Sequence, residues 1–156
     1  WLKKTINVAL SNSLAAPSAS IKPGSDVLGA VRRALSRWSS VADIQFVDSP
    51  SNAQSVSPAT GGDGISLITI ADTLDNKEFF AGGSSTGRTR VFYDSTTGSI
   101  TEADVLISPH PVAADGSPVQ FSSDGTPGTY DLESAFTVIA FARPNQDRVL
   151  ELERVR

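Results

Sequence analysis

Apolar and polar residues alternate along TINVALS, where Ile6, Val8 and Leu10 take every second position. That period of two predicts a strand with one buried face. A Ser-, Ala- and Pro-rich stretch from Ser11 then leads to Pro23, Gly24 and Ser25, after which the period changes. Val27, Leu28, Val31, Ala34, Leu35 and Trp38 recur at steps of three and four, which predicts a helix to about Ser40 with one stripe toward the core. Ser25 or Asp26 is placed to cap its first free amides, and Arg32, Arg33 and Arg37 fall on the solvent side. Residues 42–48, ADIQFVD, read as a second strand. GISLITIAD, residues 64–72, is apolar and β-branched enough for a central strand buried on both faces. The stretch SPSNAQSVSPATGGDG between them has no periodicity and many turn formers, so it is expected to be a mobile surface excursion.

Beyond a loop from Thr73 to Gly87 that ends in AGGSSTG, the segments RTRVFYD and ITEADVLIS flank Ser-Thr-Thr-Gly-Ser. This is a hairpin-like pair, and its first member carries enough polar residues to lie at a sheet edge. A long turn-rich stretch follows. The last helix is expected to begin near Thr129 or Asp131, with Leu132, Ala135, Phe136, Ile139 and Ala140 on one stripe. Pro144 should end or kink it near Arg143, because proline lacks the amide needed to continue and disfavours helical geometry in the residue before it. The expected fold is α/β: a twisted mixed sheet of about five strands with an antiparallel edge strand, covered by one long and one shorter helix.

Composition narrows the function classes. A chain of 156 residues with 39 % hydrophobic content is long enough for one core and short for two ordinary domains. A net charge of −4 without a basic cluster argues against a nucleic-acid partner, and no apolar run approaches the roughly 20 residues of a membrane span. The absence of cysteine removes disulfides, thiolate metal sites and thiol nucleophiles together. Abundant Ser, Thr and Gly with few Lys leans toward an exported, extracellular or surface protein.

Three groupings are candidates for chemistry. His110, the single histidine, stands in the turn-rich SPHPVAADGSP segment and would need carboxylate partners to hold a metal, or a nearby Ser and Asp to form a triad. Glu102 and Asp104 occupy alternate strand positions on one face, a spacing open to acid and base roles, although solvated carboxylates beside an edge are the simpler expectation. Asp124, Asp131 and Glu133 surround Gly125 and Gly128 and could offer oxygens to Ca²⁺, yet their spacing is not that of an EF-hand, and turn or capping duty accounts for them more simply.

The order of elements, and in particular FSSDGTPGTYDLESAFT at residues 121–137, resembles the upper subdomain of secreted bacterial matrixin-like metalloproteases, members of the metzincin group. AVRRALSRW with IQFVD is similar to that family's first helix and second strand, GISLITIAD to its third strand, and GSITEADVLIS to the strand before its zinc helix. The resemblance covers residues 1–137. It implies a zinc-dependent endopeptidase ancestry, action on extracellular polypeptides, a possible calcium requirement, and a bacterial extracellular or cell-surface location. It also implies that RTRVFYD is the edge strand along which an extended polypeptide lies by β-augmentation, with Thr89, Arg90, Val91 and Phe92 beside it.

The family's zinc motif, His-Glu-x-x-His-x-x-Gly-x-x-His, would follow Thr137. Val138, Ile139, Ala142, Asn145 and Arg148 stand where its ligands, general base and turn glycine would be. No catalytic or metal residue can therefore be carried over, and no cofactor is expected in this chain. Residues 138–156 form a divergent tail whose charge content rises abruptly. A frameshift, misjoined gene model or truncation would explain the break, leaving a C-terminal subdomain as a missing partner and apolar groups such as Phe136 partly uncovered. An inactive homologue, with Gln146 to Val155 as a short amphipathic helix, is the other explanation. A noncatalytic extracellular peptide-binding or adhesion module is the competing function.

Overall fold

The computed structural model describes residues 4–16, 18–80 and 86–139. TINVALS forms β1 (Thr5–Ser11), and the amphipathic segment after it forms α1 (Val27–Val41). The remaining elements are β2 (Gln45–Ser51), β3 (Leu67–Thr69), α2 (Leu74–Phe79), β4 (Gly87–Tyr93), β5 (Ile100–Ile107), β6 (Phe121–Ser122), β7 (Tyr130–Asp131) and α3 (Leu132–Ile139). Five strands make one sheet in the order β2-β1-β3-β5-β4. Its pairs are parallel except β4 with β5, which is antiparallel. The chain is thus α/β with a mixed five-stranded sheet.

One face of the sheet carries Ile6, Val8, Leu10, Ile68, Val105 and Ile107, and these pack against Val27, Ala30, Val31, Ala34 and Leu35 of α1 and Leu132, Ala135 and Phe136 of α3. Asp26 caps α1 by accepting from the Gly29 amide at 2.9 Å. The Trp38 indole N–H donates to the Thr137 carbonyl at 2.9 Å, so this residue joins the two helices and is only partly buried. Arg33 and Arg37 lie on the exposed side as expected, and both reach the Glu133 carboxylate, at 2.8 and 2.6 Å. Phe136, expected to be partly uncovered, is buried at 2 % exposure against α1.

Four expectations about elements need correction. The second strand runs from Gln45 to Ser51 rather than over 42–48; it includes Pro50, which is tolerated because β2 is an edge strand. The central strand β3 is only three residues long, although all three are buried. Side chains replace its ladder at both ends: Leu67 N–H donates to Asp104, Ile70 N–H to Ser13 Oγ and Ala71 N–H to Thr69 Oγ1. There are three helices among the described residues rather than two, because the polar LDNKEF segment forms α2 with Thr73 as its cap. The stretch between β2 and β3 is no simple excursion. Its middle is exposed, but Val56, Ser57 and Ser66 are buried, and it is bonded across the second face of the sheet.

The turn-rich stretch before α3 contains a small parallel pair, β6 with β7. Phe121 at its centre is fully buried, donates its N–H to the Ser20 carbonyl and accepts from Lys22 N–H. The expected end of the last helix at Arg143, the side chains of its lower stripe, Gly82 and Gly83 of AGGSSTG and the charged tail, in which a short helix is expected, lie outside the described residues.

Candidate functional site

β4 forms the sheet edge beyond β5, as expected from its polar character. Its pairing register fixes how it presents itself. Arg90 stands opposite Asp104, Phe92 opposite Glu102, and Val91 opposite Ala103. Ala103 N–H donates to Ser66 Oγ, on the side away from β4, and Ser108 N–H donates to the Thr86 carbonyl. In an antiparallel pair, residues that exchange bonds alternate with residues that do not, so the main-chain groups of Val91 point away from β5. Side chains alternate too: Thr89 and Val91 share the face covered by α3, whereas Arg90 and Phe92 share the face of Glu102 and Asp104. The four residues expected beside a peptide therefore split into two pairs with different surroundings.

The second face is where ionisable groups gather. Glu102 and Asp104 are each 1 % exposed, which overturns the expectation of solvated carboxylates. The alternation of ITEADVLIS placed both on one face correctly; the reason for their burial is the segment lying over them. Asp104 accepts from Ser57 N–H at 2.7 Å through Oδ2 and from Leu67 N–H at 3.0 Å through Oδ1. Glu102 Oε2 accepts from Gly64 N–H at 2.5 Å, while Glu102 Oε1 is buried with no hydrogen-bond partner among the described residues. Arg90 donates to the Ser57 carbonyl, and its guanidinium lies 4.3 Å from the centroid of the Phe79 ring. Gly62 passes so close that a Cβ there would meet the Glu102 carboxylate and come within 3.0 Å of the Phe92 ring. Gly62 is thus needed for close approach and Gly64, with φ of 81°, for turning.

Burial pushes the Asp104 carboxyl up to about 6. The neighbouring charges of Glu102 and Asp63 act in the same direction, against the two N–H bonds it accepts. Arg90 is drawn below its usual value by desolvation, with the charge of Asp104 opposing. The sequence offered no signal that Arg90 turns inward or that Ser57 is its partner, since both facts depend on a loop packing without periodicity.

His110 lies elsewhere, past the end of β5. Its Nε2 stands 3.0 Å from Asp72 Oδ2, and Lys77 Nζ is 3.2 Å from the other oxygen of Asp72. Burial raises the Asp72 carboxyl, but the bonds to His110 and Lys77 outweigh it and hold the group below the ordinary carboxylate value. His110 itself is exposed, and the arrangement is a surface ion-pair cluster at the ends of β3 and β5. The three acidic groups near Gly125 and Gly128 have separate duties. Asp124 pairs with Lys22 at 2.6 Å, and this bond together with that of Thr126 holds its carboxyl far below the ordinary range. Asp131 caps α3 by accepting from Ser134 N–H at 2.7 Å, and Glu133 takes the two arginines of α1. Among the described residues no group of three or more His, Cys, Asp or Glu side chains is gathered as a metal ion would require, and no helix is long and apolar enough to cross a membrane.

No family model, no curated protein and no solved structure matches the chain.

Proposed function

We propose that this chain is an inactive or incomplete matrixin-like domain that takes an extended polypeptide along β4. The observation that carries the reading is the edge itself: an antiparallel strand closes an otherwise parallel sheet, and Val91 directs its main-chain donor and acceptor outward at the middle of Thr89–Phe92. A peptide adding to such an edge gains main-chain hydrogen bonds, and its alternate side chains meet different lips of the strand. The resemblance of residues 121–137 to the lead-in of the zinc helix supplies the family, and the residues at 138–148 supply the lack of turnover. Binding would be extracellular or at the cell surface. An adhesion module without protease ancestry is the other reading, and it needs no accessible edge.

Val91→Pro separates them. Proline at this position removes an outward N–H without touching the β4–β5 ladder, so the fold should survive while peptide addition is blocked. With short unstructured peptides titrated onto the isotopically labelled protein, amide shifts should concentrate in β4 for the wild type and vanish for the variant, while its thermal midpoint stays nearly unchanged. Shifts that persist undiminished in Val91→Pro, or no shifts in β4 at all, would remove the edge as a binding site.

A further inference from the structure

The second face of the sheet holds two buried carboxylates, Glu102 and Asp104, whose bonds reach almost entirely to one segment. Asp104 takes Ser57 N–H and Leu67 N–H, Glu102 takes Gly64 N–H, and Arg90 takes the Ser57 carbonyl. The segment from Ser57 to Leu67 is therefore clamped at both ends by side chains of β4 and β5, and its middle is exposed. The charges of the clamp do not cancel. From β4, Arg90 stands opposite Asp104, and Arg88 on the same face is turned to the Phe79 carbonyl and the Phe80 ring; β3 brings no titratable side chain; α2 contributes the Phe79 ring on Arg90; and the segment adds Asp63, a third acid acting on Asp104. One buried oxygen, Glu102 Oε1, lacks a donor among the described residues. A buried carboxylate oxygen without a donor is costly, and a proton taken into the cluster relieves both that cost and the repulsion between like charges.

We propose that the Glu102–Asp104 cluster is a proton-operated clamp, which holds the segment from Ser57 to Leu67 against β5 when a proton is bound and loosens its hold when the proton leaves. The direction is set by linkage. Asp104 binds its proton more tightly in the folded chain than in the unfolded one, with its carboxyl pushed up to about 6. The stabilisation is therefore complete below the ordinary carboxylate value and is lost as pH rises through about 6. This is the reverse of the usual behaviour of surface acids here: Asp26, held low by the Gly29 amide, and Asp94, held low by the Thr97 and Thr96 amides, favour the ionised form. Their contributions change only at more acidic pH, below the window in which the clamp works.

Amide exchange on the full chain tests the clamp directly. After correction for the intrinsic rate, protection of the Ser57, Gly64 and Leu67 amides should fall roughly 10- to 100-fold between about pH 5 and about pH 8, while that of Val8 and Ile107 changes little. Glu102→Gln removes one of the like charges acting on Asp104 but leaves its burial in place, so the fall in protection should be smaller than in the wild type without vanishing. Asp104→Asn, which removes the titrating carboxyl itself, should be flat across the same range. Protection that is constant or rises with pH in the wild type, or a Glu102→Gln profile that retains the full fall, would overturn the proposal. So would restoration of protection at about pH 8 by stoichiometric Ca²⁺, since a cation rather than a proton would then be the cluster's neutraliser.

Discussion

Asn76 is completely buried, and its side chain meets three main-chain groups: it accepts from Val56 N–H at 3.0 Å and donates to the Gln54 and Ala71 carbonyls at 2.9 Å each. No apolar side chain could take that place, because the segment crossing it has its own unpaired donors and acceptors to satisfy. Asn76→Ala leaves those groups buried without partners, and the expected cost is roughly 3 kcal/mol. Urea unfolding, followed by the shift in midpoint at constant slope, measures it; a loss below about 0.5 kcal/mol would mean that water replaces the amide freely. At this scale the sequence was least informative. Asn76, Ser57, Asp104 and Glu102 are polar residues in a polar context, and nothing in composition distinguishes a buried hydrogen-bonding asparagine from an exposed one. Asp124 and Asp131 were more legible, because turn and cap positions carry local signatures that need no tertiary information, whereas Glu133 is fixed by Arg33 and Arg37 of α1, a pairing with no local sign.

Elements with one apolar stripe were readable, and elements held by side-chain bonds were not. β1 and α1 appear where the alternation of Ile6, Val8 and Leu10 and the stripe of Val27, Val31, Ala34 and Leu35 place them, since in both the hydrophobic period is also the burial pattern. β4 and β5 were legible from the turn between them, where Asp94 accepts from the Thr96 and Thr97 amides and Gly98 has φ of 70°. β3 was overextended because GISLITIAD stays apolar beyond the point where its main chain leaves the ladder for Asp104, Ser13 and Thr69. α2 was missed because six residues, mostly polar, give no measurable period. The start of α1 offers a test of local reasoning. Gly29 in a helix would ordinarily be improved by alanine, by about 1 kcal/mol. Here a Cβ would collide with the capping Asp26 carboxylate, and losing that cap costs about the same. Gly29→Ala should therefore leave stability nearly unchanged in the wild type, yet stabilise an Asp26→Ala background by about 1 kcal/mol. A double-mutant cycle by thermal unfolding reads the difference, and strict additivity of the two changes would show that the added Cβ does not disturb the cap.

The whole molecule is held differently on its two sides. On the first face, apolar residues of β1, β3 and β5 pack against α1 and α3; on the second, a segment without periodicity is fixed by Asn76, Asp104, Glu102 and Arg90. The chain crosses from one half of the molecule to the other only through that second segment. Residues before it supply β1, α1 and β2, and residues after it supply β3, β4, β5 and α3. The halves are joined by the β1–β3 ladder, by the α1–α3 interface and by bonds such as that from Trp38 to Thr137. The exposed stretch from Pro58 to Ile65 is the natural place for a protease to cut. A single cut there should leave the molecule folded, because every bond that ties the segment down lies at its two ends and the interface between the halves is the buried core. After limited proteolysis, the two fragments should separate on a denaturing gel but elute together, at the volume of the intact chain, under native conditions. The nicked protein should also unfold at a lower temperature, since rejoining its halves now carries the entropy of association. Fragments that part under native conditions would show instead that the clamped segment, rather than the apolar core, holds the two halves of the sheet together.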